Sequence, residues 1–378
     1  KKIITGLKHS LMEKMPVYEK QTHEGKTPQE ISESGDCRIL DNYFSREEIW
    51  ACTSCFACAE SCPVGNNQWE PIIQMRRSAV LNEGVMPVQL QNALTNIENQ
   101  GNPWGISRDD REKWTEGLDI PTMRDLKEKG QMPEVLYWVG CAGAFDDRNR
   151  KIARELSSLL KKAGVSFGIL GIEESCTGDS ARRAGNEYLF QSLATANIEI
   201  LNNYGVKKII TPCPHCFNTL KNEYSAFGGN YEVLHHSEFL SMLIHSGRLE
   251  INASKEAVET ITYHDSCYLG RHNGNYDYPR NIVQMTGSPI AEPRESRETA
   301  MCCGAGGAQM WMEETGTERV NISRTNHLLE AGSKTIATAC PFCITMINDG
   351  IKSRELTESH KVLDIVEIIS KNLATDRT

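Results

Sequence analysis

Beyond residue 134 the chain alternates short apolar runs with stretches whose apolar residues recur at helical spacing. The run Val135-Leu136-Tyr137-Trp138-Val139 predicts a buried strand, and Ile152, Leu156, Leu159 and Leu160 predict one face of a helix. A strand over 165–170, a helix over 186–204 closed by Gly205 and a strand over 206–211 follow. The pattern then starts again. A strand over 259–263 and a helix over 320–331 closed by Gly332 precede a strand over 335–338. Strands that alternate with helices predict an α/β fold with parallel sheets. Ligands to such sheets gather at the carboxyl ends of the strands.

The first third reads differently. Apolar residues stand at helical spacing at Ile3, Leu7 and Leu11, and again at Ile39 and Tyr43. The stretch 22–35 reads as loop, and 70–82 as a helix carrying Ile72, Ile73 and Met75, with Arg76-Arg77 exposed. Residues 99–121 lack periodicity, and we expect a wrapping linker there, anchored by Trp104 and Trp114. The expected division is a mainly helical segment over 1–100, a linker over 101–133, and two repeated α/β domains over 134–250 and 251–378. The opening Lys1-Lys2-Ile3-Ile4-Thr5-Gly6-Leu7 resembles the middle of an amphipathic helix, so the expectation is that residues precede it.

Cysteine changes the picture. The chain of 378 residues has 14 cysteines, clustered with C-x-x-C spacing, which points to metal binding rather than a disulfide framework. In the first repeat Cys141, Cys176, Cys213 and Cys216 each follow a strand, and in the second Cys267, the pair Cys302-Cys303, Cys340 and Cys343 do the same. The same interval separates Cys141 from Cys176 and Cys267 from Cys302. Thr177 stands where the second repeat has Cys303, so one unit offers four thiols and the other five. Four suit a cubane cluster or a zinc ion. Two adjacent cysteines are awkward for one tetrahedral ion and suit a larger iron–sulfur cluster. Cys52, Cys55, Cys58 and Cys62-Pro63 form the C-x-x-C-x-x-C-x-x-x-C-P run of bacterial ferredoxins, for which a cubane cluster is expected and a zinc knuckle is the alternative. Either Cys62 folds back to close a single cluster, or it serves a second whose other partners lie upstream of Lys1. Cys37 stands alone and is not expected to be a ligand.

A formal charge of −9 argues against a nucleic-acid partner. Reduced thiols place the chain on the cytoplasmic side, and no apolar run is long enough to span a membrane. Gly304, Gly306 and Gly307 are expected either to bring backbone N–H groups to a cluster or to form a flexible turn. His264, with His215 and His272, is a candidate hydrogen-bonding neighbour of a cluster, while His235-His236 is expected at the surface.

These cysteines, in this order, resemble the CCG-domain family, which includes the B and D components of heterodisulfide reductase. Three stretches look like its branch of oxidoreductases linked to electron-transfer flavoprotein: Trp50-Ala51-Cys52-Thr53-Ser54-Cys55, the run from Cys176 to Arg183, and that from His264 to Arg271. The branch carries an N-terminal membrane domain and two ferredoxin runs, and this sequence shows neither that domain nor the first run. The resemblance implies a noncubane [4Fe–4S] cluster on Cys267, Cys302, Cys303, Cys340 and Cys343, which are then the candidate catalytic residues. A cubane [4Fe–4S] cluster or zinc is implied for the first unit. It further implies a flavoprotein donor, a membrane subunit or membrane domain with quinone as acceptor, and a site at the inner face of the cell membrane. Cleavage of a disulfide at the five-thiol cluster is the alternative activity, and a zinc-stapled interaction module the non-enzymatic one.

Overall fold

The computed structural model describes residues 2–252, 259–314 and 318–373. Two parallel sheets organise it. In the first, β1 (Val135–Tyr137), β2 (Phe167–Gly168), β3 (Lys208–Thr211) and β4 (Glu232–His235) lie in the order β2-β1-β3-β4. In the second, β5 (Ile261–Tyr263), β6 (Thr335–Thr338) and β7 (Lys361–Asp364) lie in sequence. A parallel bridge from Ile261 to Ile290 adds the edge that β2 supplies to the first sheet. Every strand pair is parallel. That explains the continuous apolar strands, since helices cover both faces of such sheets.

The α/β class and both repeats are therefore as the periodicity predicts. Helices at Asp147–Lys162 and Glu187–Asn203 flank the first sheet, and those at Val320–Leu329 and Pro341–Ser353 the second. One continuous apolar core runs from Leu40 to Ile369.

Four expectations from the sequence need correction. Residues 28–34, read as loop, form a helix (Pro28–Ser34) whose Thr27 and Glu30 make a reciprocal capping box. Arg76, expected to be exposed, is fully buried, because three separate parts of the chain close over its helix. Within the expected linker, Arg108–Thr115 is a 3₁₀ helix that buries Trp114 against Tyr137. Its Arg111 reaches the first cysteine group, so the stretch does more than wrap. His235-His236, expected at the surface, is fully buried where β4 ends. There the last strands of the two sheets meet: His236 Nε2 bonds Asp364 Oδ1 at 3.0 Å, and His236 Nδ1 lies 3.2 Å from His235 Nε2. Arg148 adds a second link, donating to Val362 O and Glu367 across the same junction.

Candidate metal centres

The second unit brings its five thiols together. Cys267 follows β5, Cys340 caps the helix Pro341–Ser353 and Cys343 lies in that helix's first turn; all five are buried. Cys343 Sγ and Cys303 Sγ are 3.3 Å apart. Cys302 lies near enough to Cys303 and Cys267, and Cys340 to Cys343, for each to shift the other's ionisation. Gly304, at φ +97°, lets its own N–H donate to Cys302 Sγ at 3.3 Å. Bonds from neighbouring thiols hold Cys303 well below the usual thiol range. Burial opposes ionisation of Cys340, yet its bond to Cys343 and the charge of His215 bring it to about 7. Cys267 is pushed up by its bond to Cys302 and by burial. A neutral thiol thus stabilises the neighbouring thiolate, and metal binding must remove the remaining protons.

His264 belongs to this group: one of its ring nitrogens lies within 4.8 Å of the sulfurs of Cys303 and Cys343. Its Nδ1 accepts from Arg324 Nε at 3.1 Å, and burial together with that cation keeps the ring neutral. The proton therefore sits on Nε2, which is buried and has no hydrogen-bond partner among the described residues. Nη2 of Arg271 and of Arg324 are buried donors in the same condition. Five soft sulfur ligands ringed by unpartnered N–H donors fit an anionic iron–sulfide core better than a bare divalent ion.

The first unit repeats the plan with one change. Gly178 N donates to Cys176 Sγ at 3.4 Å, as Gly304 does to Cys302. Thr177 Oγ1 lies 3.8 Å from Cys216 Sγ, taking the place of the Cys303–Cys343 contact. Cys141 Sγ donates to Gly101 O at 3.5 Å, and Cys176 is its neighbouring thiol. The neighbouring Cys176 thiol, against burial and with the help of Arg111, brings Cys141 to about 7. Arg111 Nη2 is 3.6 Å from Cys141 Sγ and 2.8 Å from Glu174 Oε1, and the N–H groups of Val139 and Gly140 also donate to Glu174.

The ferredoxin run docks on the second unit. Cys55 packs against Cys267, Tyr268 and Cys302, and the Cys302 contact together with burial pushes its thiol up. Tyr268 OH and Ser54 Oγ are 2.8 Å apart, His272 Nε2 is 2.9 Å from Ser54 O, and Arg271 donates to Cys55 O at 2.7 Å. Gly306 and Gly307 explain the close approach: a Cβ at either would collide with the backbone of Cys52 and Thr53. They make room for a neighbouring loop, a role beside the two expected from the sequence. Cys58 is exposed, and Cys62 Sγ faces its own loop, accepting the Asn66 N–H at 3.3 Å. Cys37 Sγ lies 3.8 Å from Lys14 O, away from all three groups.

An aromatic stack ties the groups together. Tyr268 lies between His215 and His272, with ring centroids at 4.0 and 4.2 Å. Burial disfavours the His215 cation, but Asp179 at 2.9 Å lifts it to about 9. Burial lowers His272 to about 4. The arginines, Tyr268 and Asp179 escape sequence reasoning as site residues because single polar residues carry no spacing signal.

Comparison with known proteins agrees with the geometry. The cysteine-rich CCG domain matches residues 135–221 and 261–348. The EtfAB:quinone oxidoreductase of Syntrophomonas wolfei is 46% identical over 368 residues, covering 95% of this chain and 50% of that protein. A probable iron–sulfur-binding oxidoreductase of Bacillus subtilis, FadF, is 46% identical over 339 residues, covering 89% and 48%. The D component of the dihydromethanophenazine:CoB–CoM heterodisulfide reductase of Methanosarcina barkeri is 31% identical over 358 residues, covering 92% and 81%. The chain thus spans about half the length of the first two. Among the described residues, no helix is long and apolar enough to cross a membrane.

Proposed function

This chain belongs to the CCG cysteine-rich family of iron–sulfur oxidoreductases, and on that premise we propose that it passes single electrons between a flavoprotein and a membrane quinone. The packing of Cys55 against Cys267 and Cys302 carries the reading, because it sets the ferredoxin run directly against the five-thiol unit. Cys52, Cys55 and Cys58 would hold a cubane [4Fe–4S] cluster, and Cys62, facing its own loop, would serve another. Cys267, Cys302, Cys303, Cys340 and Cys343 would hold the noncubane cluster, with His264 Nε2–H and the Gly304 backbone nearby as donors. Cys141, Cys176, Cys213 and Cys216 would hold a cubane cluster or zinc. Bound clusters supply one-electron steps between two-electron partners. The protein's own part is to hold the sulfurs, keep His264 in one tautomer and exclude water from the second unit.

The relatives named as EtfAB:quinone oxidoreductase and FadF support electron-transfer flavoprotein or another flavoprotein as donor and a membrane subunit or membrane domain as the quinone side. A site at the inner face of the cell membrane follows from that partner. The heterodisulfide reductase relative, matched over 81% of its length, favours disulfide cleavage at the five-thiol unit as the second reading. Anaerobic assays separate the two. Turnover with reduced flavoprotein and a quinone analogue supports the first; turnover only with a thiol–disulfide pair replaces it with the second.

A further inference from the structure

Among the described residues six arginines are buried. Three have carboxylate partners: Arg111 with Glu174, Arg183 with Asp179 and Glu223, and Arg280 with Asp265 and Glu292. Arg76, Arg271 and Arg324 bond no carboxylate among the described residues. Arg76 and Arg271 stand where the ferredoxin run meets the second unit, and Arg324 lies within the second unit beside His264.

Arg76 is fully enclosed. Its nitrogens donate to the carbonyls of Ile49, Trp50, Cys52, Arg183 and Gly307, at 2.7 to 3.0 Å. Carbonyl dipoles solvate a guanidinium but leave its charge uncancelled. Burial lowers its pKa to about 10, and Cys52 is the first group to oppose that. Arg271 donates to the carbonyls of Cys55, Glu298 and Ala300, and the charges that favour its protonated form are led by Cys267, Cys55 and Cys302. Arg324 donates to His264 and to Glu295 O. Asp265, already bonded to Arg280, lies near it, as do Glu295 and the thiols of Cys343 and Cys302. A buried cation with no bonded anion is strongly unfavourable. Three around these cysteine groups call for an anion there.

We propose that Arg76, Arg271 and Arg324 are the counter-charges of the iron–sulfur clusters held by the ferredoxin run and the second unit, and that they raise the potentials of those clusters. The inference rests on the functional reading above. Reduction adds one electron, and so one negative charge, to a cluster. A fixed cation nearby stabilises the reduced form. None of the three is a catalytic residue; they act through the clusters.

The test is an EPR-monitored redox titration of the anaerobically reconstituted chain, with Arg76→Lys and Arg76→Gln beside the wild type. Lysine keeps the charge and loses most of the carbonyl bonds; glutamine loses the charge as well. The expected result is a midpoint at least about 59 mV more negative for Arg76→Gln, a tenfold change in the one-electron equilibrium constant, with Arg76→Lys near the wild type. Equal midpoints for all three, or equal falls for both variants, overturn the proposal and leave Arg76 a structural clamp. Should the Arg76 variants fail to fold, Arg271→Lys and Arg271→Gln decide by the same criterion, since Arg271 leaves fewer carbonyls unpaired. A wild-type chain that takes up no iron overturns the functional reading instead.

Discussion

Replacing Arg111 by methionine removes a cation that touches a first-unit sulfur. Arg111 and Glu174 are both about 2% exposed and 2.8 Å apart, and Arg111 Nη2 is 3.6 Å from Cys141 Sγ. At an effective dielectric of about 20, unit charges at that separation interact by roughly 4–5 kcal/mol before desolvation. Most of that is offset, and neighbours of metal ligands are usually worth about 10–100-fold in affinity, or roughly 1.4–2.7 kcal/mol. Arg111→Met should therefore weaken metal binding by the first unit about 10–100-fold and move Cys141 upward from about 7. It also leaves Glu174 buried beside the thiolate, so Glu174→Gln on the same background should restore much of the loss. The assay is anaerobic competition with a chromophoric chelator at neutral pH, with the second unit as internal reference. An unchanged affinity, or an equal loss in both units, refutes the reasoning.

Further outcomes follow from other sites. His236→Leu removes the hydrogen bond to Asp364 across the two sheets and should cost about 1–3 kcal/mol of stability. Adding Asp364→Asn, which keeps the helix cap, should recover most of it in anaerobic denaturation; additive losses would show that the pair does not couple the units. His215 is raised from 6.5 to about 9 against burial, mainly by Asp179. A raised histidine contributes stability that is complete below about 6.5 and lost as pH rises through about 9. The thermal midpoint of the wild type should thus fall across that window, and His215→Gln should flatten the fall; parallel curves contradict the pairing. Thr177→Cys gives the first unit a fifth thiol beside Cys216 and should change the EPR and metal content of that unit, whereas an unchanged iron-to-zinc ratio shows that the added sulfur is not used.

The legible parts of the fold were those with a local cause. Buried parallel strands are largely apolar, so Val135–Tyr137 stands out, and Cys213 and Cys340 follow closely on β3 and β6, whereas Cys302-Cys303 comes after a 3₁₀ helix (Arg297–Thr299) and not a strand as expected. The helix at Pro28–Ser34 had a local signal too, the Thr27–Glu30 box, hidden in a polar stretch. His235-His236 had none. Two polar residues read as surface, and only the meeting of β4 with β7 buries them. Gly306 and Gly307 likewise answer to a loop about 250 positions away in the chain, a requirement no local pattern states. Arg76 reads in sequence as one exposed charge on a short helix, yet it bridges three parts of the molecule.

Iron and acid-labile sulfide analysis of anaerobically prepared protein, combined with EPR of the reduced sample, tests most directly whether these sulfurs hold iron, with the ferredoxin run wired to the five-thiol unit. The predicted result is a coloured protein with iron and sulfide in similar amounts and two interacting cluster signals. A colourless, EPR-silent preparation that contains only zinc contradicts it.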